Sequence, residues 1–189
     1  MKKGLSLLLV CMAVFLPGKV AAYENNVKLN AGIPRMTTVE YERNLNNVLP
    51  NLSAFVNYGT GEIDMKNEKT KINGLGLGVR YKIPFLGYLG VGFGNLNVDY
   101  SYTQTATSGD ISVGSKVDVS GTIGGMLIEY GTDFRFGPVI VGGSVGYIMG
   151  KPSISAKVGS TDVNSDNVNS GLATVEGLPQ LGFYVGYAF

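Results

Sequence analysis

The side chains best equipped for chemistry are a scattered set of charges and amides: Lys28, Glu40, Glu42, Arg80, Lys82, Asn97, Asp99 and Asp118. Read as strand residues, they take the less apolar phase of a two-residue alternation, which gathers them on the inner face of a narrow barrel. Charges enclosed there must be paired or hydrated, because isolated burial is costly. Glu40 and Glu42 are therefore expected to pair with Arg80 and Lys82 across the interior. Such a cluster is either an ion gate or a polar plug that holds the barrel rigid. The small bore of an eight-stranded barrel favours the plug.

Other chemistry finds little support. The chain has no His, and its single Cys is Cys11. That excludes a Ser-His-Asp triad and a His-ligated zinc site, and no carboxylate spacing points to an alternative. No catalytic activity, cofactor or metal is expected. The Gly-rich runs GLGLG at 74–78, GVGFG at 90–94 and GGSVG at 142–146 lie within strands and open no helix, so they are not phosphate cradles. Lys151 follows Gly150, but Pro152 stands where a phosphate loop needs Ser or Thr. In DVNSDN at 162–167, Asp162, Asn164 and Asp166 alternate as in a calcium loop, yet Asn167 and Ala173 replace the required Gly and Glu. That run is read as a solvated loop.

The elements that must position these side chains are all β. No helical period is sustained after residue 22, whereas two-residue alternation recurs throughout. Strands are predicted over roughly 25–33, 36–45, 51–62, 71–83, 88–103, 115–130, 138–150 and 177–189. Tight turns fall at 46–50, 84–87 and 131–137, and longer polar loops at 63–70, 104–114 and 151–176. Short and long connections alternate, as in transmembrane barrels whose termini lie on the short-turn, periplasmic side. The first hairpin turns on Pro34 and Arg35 alone. A six-stranded core with a loose N-terminal arm is the alternative there, at the cost of unpaired edges.

Alternation alone does not distinguish a membrane barrel from a soluble one. The second face does. Leu75, Leu77, Val79, Tyr81 and Ile83 oppose Gly74, Gly76, Gly78, Arg80 and Lys82, and the last strand sets Leu181, Phe183, Val185, Tyr187 and Phe189 against Gln180, Gly182, Tyr184, Gly186 and Ala188. Glycine weakens a water-exposed strand for no gain, but it suits a lumen barely wide enough for side chains. The apolar face is then the lipid face. Within 88–103 the apolar phase shifts by one residue, from Leu89, Val91 and Phe93 to Leu96, Val98, Tyr100 and Tyr102, which predicts a bulge near Gly94-Asn95. Without Trp, interfacial girdles fall to Tyr41, Tyr81, Phe85, Tyr88, Tyr130, Phe134, Phe136, Tyr187 and Phe189 at one end and Tyr58, Tyr100, Tyr102 and Tyr147 at the other.

The N-terminus carries Lys2 and Lys3, an apolar run from Leu5 to Leu16, the pair Pro17-Gly18 and small residues ending at Ala22. This reads as a secretory signal peptide cleaved after Ala22, since the run is shorter than the roughly 20 residues of a spanning helix. Val10 before Cys11 does not suit lipidation. The expected organisation is a leader over 1–22 and one barrel domain over 23–189. Loss of Lys2, Lys3 and Lys19 leaves 12 basic residues of the original 15 against 14 acidic ones, with no nucleic-acid footprint.

The terminal strand GFYVGYAF, with Phe189 last, Tyr187 two residues before it and apolar residues at alternate positions upstream, resembles that of small outer-membrane β-barrels of the OmpA, OmpX and opacity-protein kind. The resemblance spans the whole mature length. It implies an all-β, single eight-stranded antiparallel transmembrane barrel, inserted by the barrel-assembly machinery through a terminal signal at Gly182, Phe183, Val185, Tyr187 and Phe189. The glycine usual in that signal is displaced by Tyr184. The expected function is non-enzymatic: envelope support or surface contact in the outer membrane, with loops 104–114 and 151–176 offered to an extracellular ligand. A narrow passive channel and a barrel that binds an apolar molecule through an opening toward the lipid are the alternatives.

Overall fold

The computed structural model describes residues 24–65, 68–103, 114, 116–158, 161–163 and 177–189. The leader expected over 1–22 and nearly all of the loop 104–114 lie outside the described residues. Ten strand segments follow one another: β1 Asn25–Ile33, β2 Thr37–Asn44, β3 Leu52–Met65, β4 Glu68–Ile83, β5 Gly87–Thr103, β6 Lys116–Phe136, β7 Val139–Met149, β8 Pro152–Val158, β9 Thr161–Val163 and β10 Gly177–Ala188. Each pairs antiparallel with its sequence neighbour from β1 to β7; β7 then pairs with β10 and β10 with β1. The result is a closed eight-stranded barrel. The N-terminal hairpin completes it, because β1 is hydrogen-bonded along its length to β2 and β10.

Several connections are shorter than the sequence suggests. Strand continues to Met65 and resumes at Glu68, so most of the expected loop 63–70 is ladder. The turn expected over 131–137 shrinks to Gly137, at φ 63°, and Pro138, because β6 stays paired to β7 through Phe136. Of the expected loop 151–176, residues 152–158 and 161–163 are strand. β8 keeps on β6 the register that β7 set, with Met149 opposite Met126 and Pro152 opposite Ile123. The two therefore form one long stave interrupted at Gly150-Lys151. There the backbones approach so closely that a Cβ on Gly125 would meet the Met149 carbonyl at 1.8 Å.

The bulge expected near Gly94-Asn95 is absent. From Tyr88 to Thr103, β5 runs in unbroken register with β4 and β6. The phase change instead marks a change in which face is apolar. On the short-turn side of Gly94, the outward residues Leu89, Val91 and Phe93 are apolar and exposed, while Gly90 and Gly92 face inward. Beyond it the order reverses: Leu96 is buried inside, and Asn95, Asn97 and Asp99 point outward. Neighbouring strands reverse at the same height. Asn73, Asn97 and Thr122, side by side on the outer face, join in a hydrogen-bonded row (3.1 and 2.9 Å), while Ile123 and Val117 turn in.

The barrel thus has two zones. Around the short-turn half runs an apolar outer belt including Leu77, Phe93, Ile128, Val145, Phe183 and Val185. The far half has a polar exterior and apolar interior, as a water-soluble β-structure would. Two aromatic expectations change with this. Tyr88 is 1% exposed inside the lumen, because its parity on β5 is that of Gly90, and Tyr100 and Tyr102 lie on the inward phase of the extension.

Tyr88 also tests how closely the inner wall is packed. A Cβ on Gly131 would sit 2.4 Å from the Tyr88 ring, whereas one on Gly121 meets nothing closer than 3.5 Å. Gly131→Ala is expected to lower unfolding free energy by about 1–3 kcal/mol through overpacking, and Gly121→Ala to leave it unchanged or slightly raised. Urea unfolding of the folded barrel measures both. Equal effects would mean the ring is not held against β6.

Candidate functional site

The polar cluster inside the belt is built by parity. Lys28 on β1, Glu40 and Glu42 on β2, Arg80 and Lys82 on β4, and Glu129 and Asp133 on β6 all take the inward phase of their strands. Lys28 Nζ lies 2.8 Å from Glu42, 3.6 Å from Glu40 and 3.5 Å from Asp133, and 4.7 Å from the Tyr184 ring centroid. Arg80 holds Glu40 with two nitrogens, the Nη2–Oε2 contact being 2.7 Å, and reaches Glu42 at 3.3 Å. Its Nε donates to Glu129, and its guanidinium stacks 4.0 Å from the Phe55 ring centroid. Lys82 closes the short-turn side, 2.6 Å from Glu42 and 3.0 Å from Asn44.

The far side is closed by a residue the sequence placed in a turn. Arg35 folds back from the β1–β2 connection into the lumen, donating to Asn57 at 2.8 Å and to Gln180 at 3.3 Å. Between Arg35 and Arg80 a cavity of about 50 Å³ remains, bordered by Thr38, Asn57, Ser144 and Gln180. That is room for water at most. Four cations, Lys28, Arg35, Arg80 and Lys82, face four carboxylates, Glu40, Glu42, Glu129 and Asp133. The enclosed charge sums to zero, as burial requires.

Of the residues expected in the lumen, Lys28, Glu40, Glu42, Arg80 and Lys82 come together there. Asp99 and Asp118, with Asn97, do not. With no bulge in β5, Asp99 keeps the outward phase of Phe93. Asp118 lies outside on β6, bound to Lys116 at 2.8 Å and to Ser101 at 2.6 Å; those two hydrogen-bond donors hold its carboxyl below the usual range. Both belong to the polar exterior beyond the belt. In the terminal strand, Phe183, Val185, Tyr187 and Phe189 face outward and Gly182 inward, on the strand that closes the barrel against β1.

Sequence reasoning missed Arg35, Glu129, Asp133, Tyr88 and Tyr184 as members of this cluster. Glu129 was legible, since it alternates with Ile128 and Tyr130. Asp133 was hidden by reading its strand as a turn, and it receives the Tyr184 hydroxyl. Nothing local marks Arg35. Among the described residues no group of carboxylate, His or Cys side chains is placed to hold a metal; the run 162–167 lies mostly outside them.

Fold and site define a class: a closed eight-stranded antiparallel barrel with an apolar outer belt and an ion-paired, filled lumen. Among solved structures, it is similar to a major outer membrane protein from Thermus thermophilus, at a TM-score of 0.53 and 15% identity over 89% of this chain and 100% of that one. The translocator domain of the autotransporter NalP from Neisseria meningitidis aligns at a TM-score of 0.40 and 17% identity, over 97% of this chain and 67% of that one. The first likeness is one of fold. No family model and no curated protein matches the chain.

Arg80 is the residue whose loss the network tolerates least. Arg80→Met strands Glu129, leaves Glu40 with only the 3.6 Å ion pair to Lys28, and is expected to cost about 3–5 kcal/mol. Adding Glu40→Gln and Glu129→Gln should restore most of that loss, a non-additivity that urea unfolding of the single and combined variants reads directly. Additive losses would show that the three side chains do not act as one unit.

Proposed function

We propose that this chain is an integral outer-membrane barrel without catalytic activity, a rigid support that presents its far half to the outside. The observation that carries the reading is the double inversion of polarity. Around the short-turn half, charges are inside and Leu, Val, Ile and Phe outside, the reverse of a soluble protein and the pattern of a barrel in lipid. Beyond the Asn73–Asn97–Thr122 row the pattern returns to that of a soluble one. The belt is therefore the bilayer-spanning zone, and the row marks its outer limit. Residues 1–22 act as the export leader. The outward phase of β10 serves the barrel-assembly machinery, and the segments 104–114 and 151–176, the second partly strand, meet surface ligands.

The closed lumen sets this reading against a passive channel. Lys28, Glu42 and Arg80 are at most 2% exposed, which supports a filled lumen over an open bore at their level. The detergent-folded protein should show heat-dependent electrophoretic mobility with a β-type circular dichroism spectrum, and no stepwise current in planar bilayers. Discrete conductance steps would replace the support reading with a channel; a detergent-independent soluble protein would remove the membrane assignment.

The height of the belt has its own test. In the mature barrel from residue 23, which has no other Cys, Asn97→Cys should react with a membrane-impermeant maleimide in vesicles, and Leu77→Cys should resist until the bilayer is dissolved. Equal labelling of the two would place the belt elsewhere.

A further inference from the structure

The barrel wall is incomplete at one point on the short-turn rim. The last β5–β6 partners are Tyr88 and Gly131, but β6 runs on from Thr132 to Phe136 paired to β7 alone. On its other side, the β4–β5 turn at 84–86 ends short of it. A cavity of about 690 Å³ opens in this notch, bordered by Lys82, Phe85, Tyr88, Asp133, Phe134 and Arg135. It faces two ways, toward the mouth of the lumen and toward the apolar belt.

Its charges are unevenly committed. Asp133 is held by Lys28 and Tyr184, and Lys82 by Glu42 and Asn44. Arg135 is exposed and, among the described residues, has no ion-pair partner. The walls on the belt side are Phe134, largely exposed on the outer face, and Phe85, which stands fully exposed on the turn at φ 67°, a backbone conformation unusual for a bulky side chain. An exposed guanidinium on the inward phase of β6, next along the strand to the outward Phe134, puts one cation at the edge of apolar walls that lead into the belt, which fits an amphiphile with one anionic group. A small soluble anion would leave the phenyl walls unused, and a neutral lipid would leave Arg135 unused.

We propose that this notch binds an anionic phospholipid, its phosphate on Arg135 and its acyl chains passing between Phe85 and Phe134 onto the belt. The proposal rests on the membrane reading above, and its test separates the two. The chain has no Trp, so Leu86→Trp at the notch and Val48→Trp on the β2–β3 turn are single reporters. Each variant is folded into phosphatidylcholine vesicles containing a minor fraction of either brominated phosphatidylglycerol or brominated phosphatidylcholine.

At Leu86→Trp the phosphatidylglycerol quencher should associate about fivefold more strongly, the factor one cation supplies at an anionic lipid surface. Val48→Trp should not discriminate. Arg135→Gln should abolish the preference at Leu86→Trp while heat-dependent mobility is kept. Equal quenching by both lipids at Leu86→Trp, or a preference that survives Arg135→Gln, would overturn the site. Absence of quenching by either lipid at both reporters would instead overturn the membrane reading.

Discussion

Everything inside this barrel is arranged around the need to enclose charge without net charge. Eight strands leave a lumen in which side chains, not water, must solvate Lys28, Arg80, Glu40 and Glu42, and a buried cation without its carboxylate would be untenable there. Room for these long side chains comes from glycine on the facing strands. A Cβ on Gly90 would lie 2.6 Å from the Glu129 side chain, one on Gly186 2.8 Å from Lys28 and one on Gly76 2.7 Å from Asn57. The glycine-rich inner phase and the charged inner phase are two halves of one packing solution. Phe55, Tyr88 and Tyr184 fill what remains and place aromatic faces against the two central cations.

The network also explains why the first hairpin belongs to the barrel. Without β1 and β2, Arg80 would lose Glu40 and Glu42, and the wall would have two unpaired edges. Lys28, Glu40 and Glu42 thus couple closure of the sheet to neutralisation of its interior. Arg35 extends the same logic to the connection between those strands, where it reaches both Asn57 on β3 and Gln180 on β10.

Much of this was legible in the sequence, because a strand's side-chain period is two and a barrel has only two faces. The antiparallel order and the inward placement of Lys28, Glu40, Glu42, Arg80 and Lys82 follow from alternation and the spacing of turns, which left open only whether the first hairpin completes the eight strands. The same rule misled at β5. Assuming that the apolar phase always faces outward turned a change of surroundings into a register slip, and sent Asp99 and Asp118 to the wrong side. A pattern records which face is apolar, not which face is in; only the pairing of β5 with both neighbours fixes the second. Arg35 and Asp133 were missed for another reason: both lie where short connections were read as turns, and the capture of a turn residue by a distant partner leaves no local trace.

Filling the lumen decides where activity can reside. A barrel whose axis is occupied by matched charges has only its outer surfaces and its two rims to meet other molecules. At the far rim, the polar exterior of β3 to β6, continued by β8, extends past the belt. At the short-turn rim, the paired wall stops early between β5 and β6. The central network makes both features tolerable, since a wall braced from within by Arg80 and Lys28 does not depend on every strand being paired to its last residue.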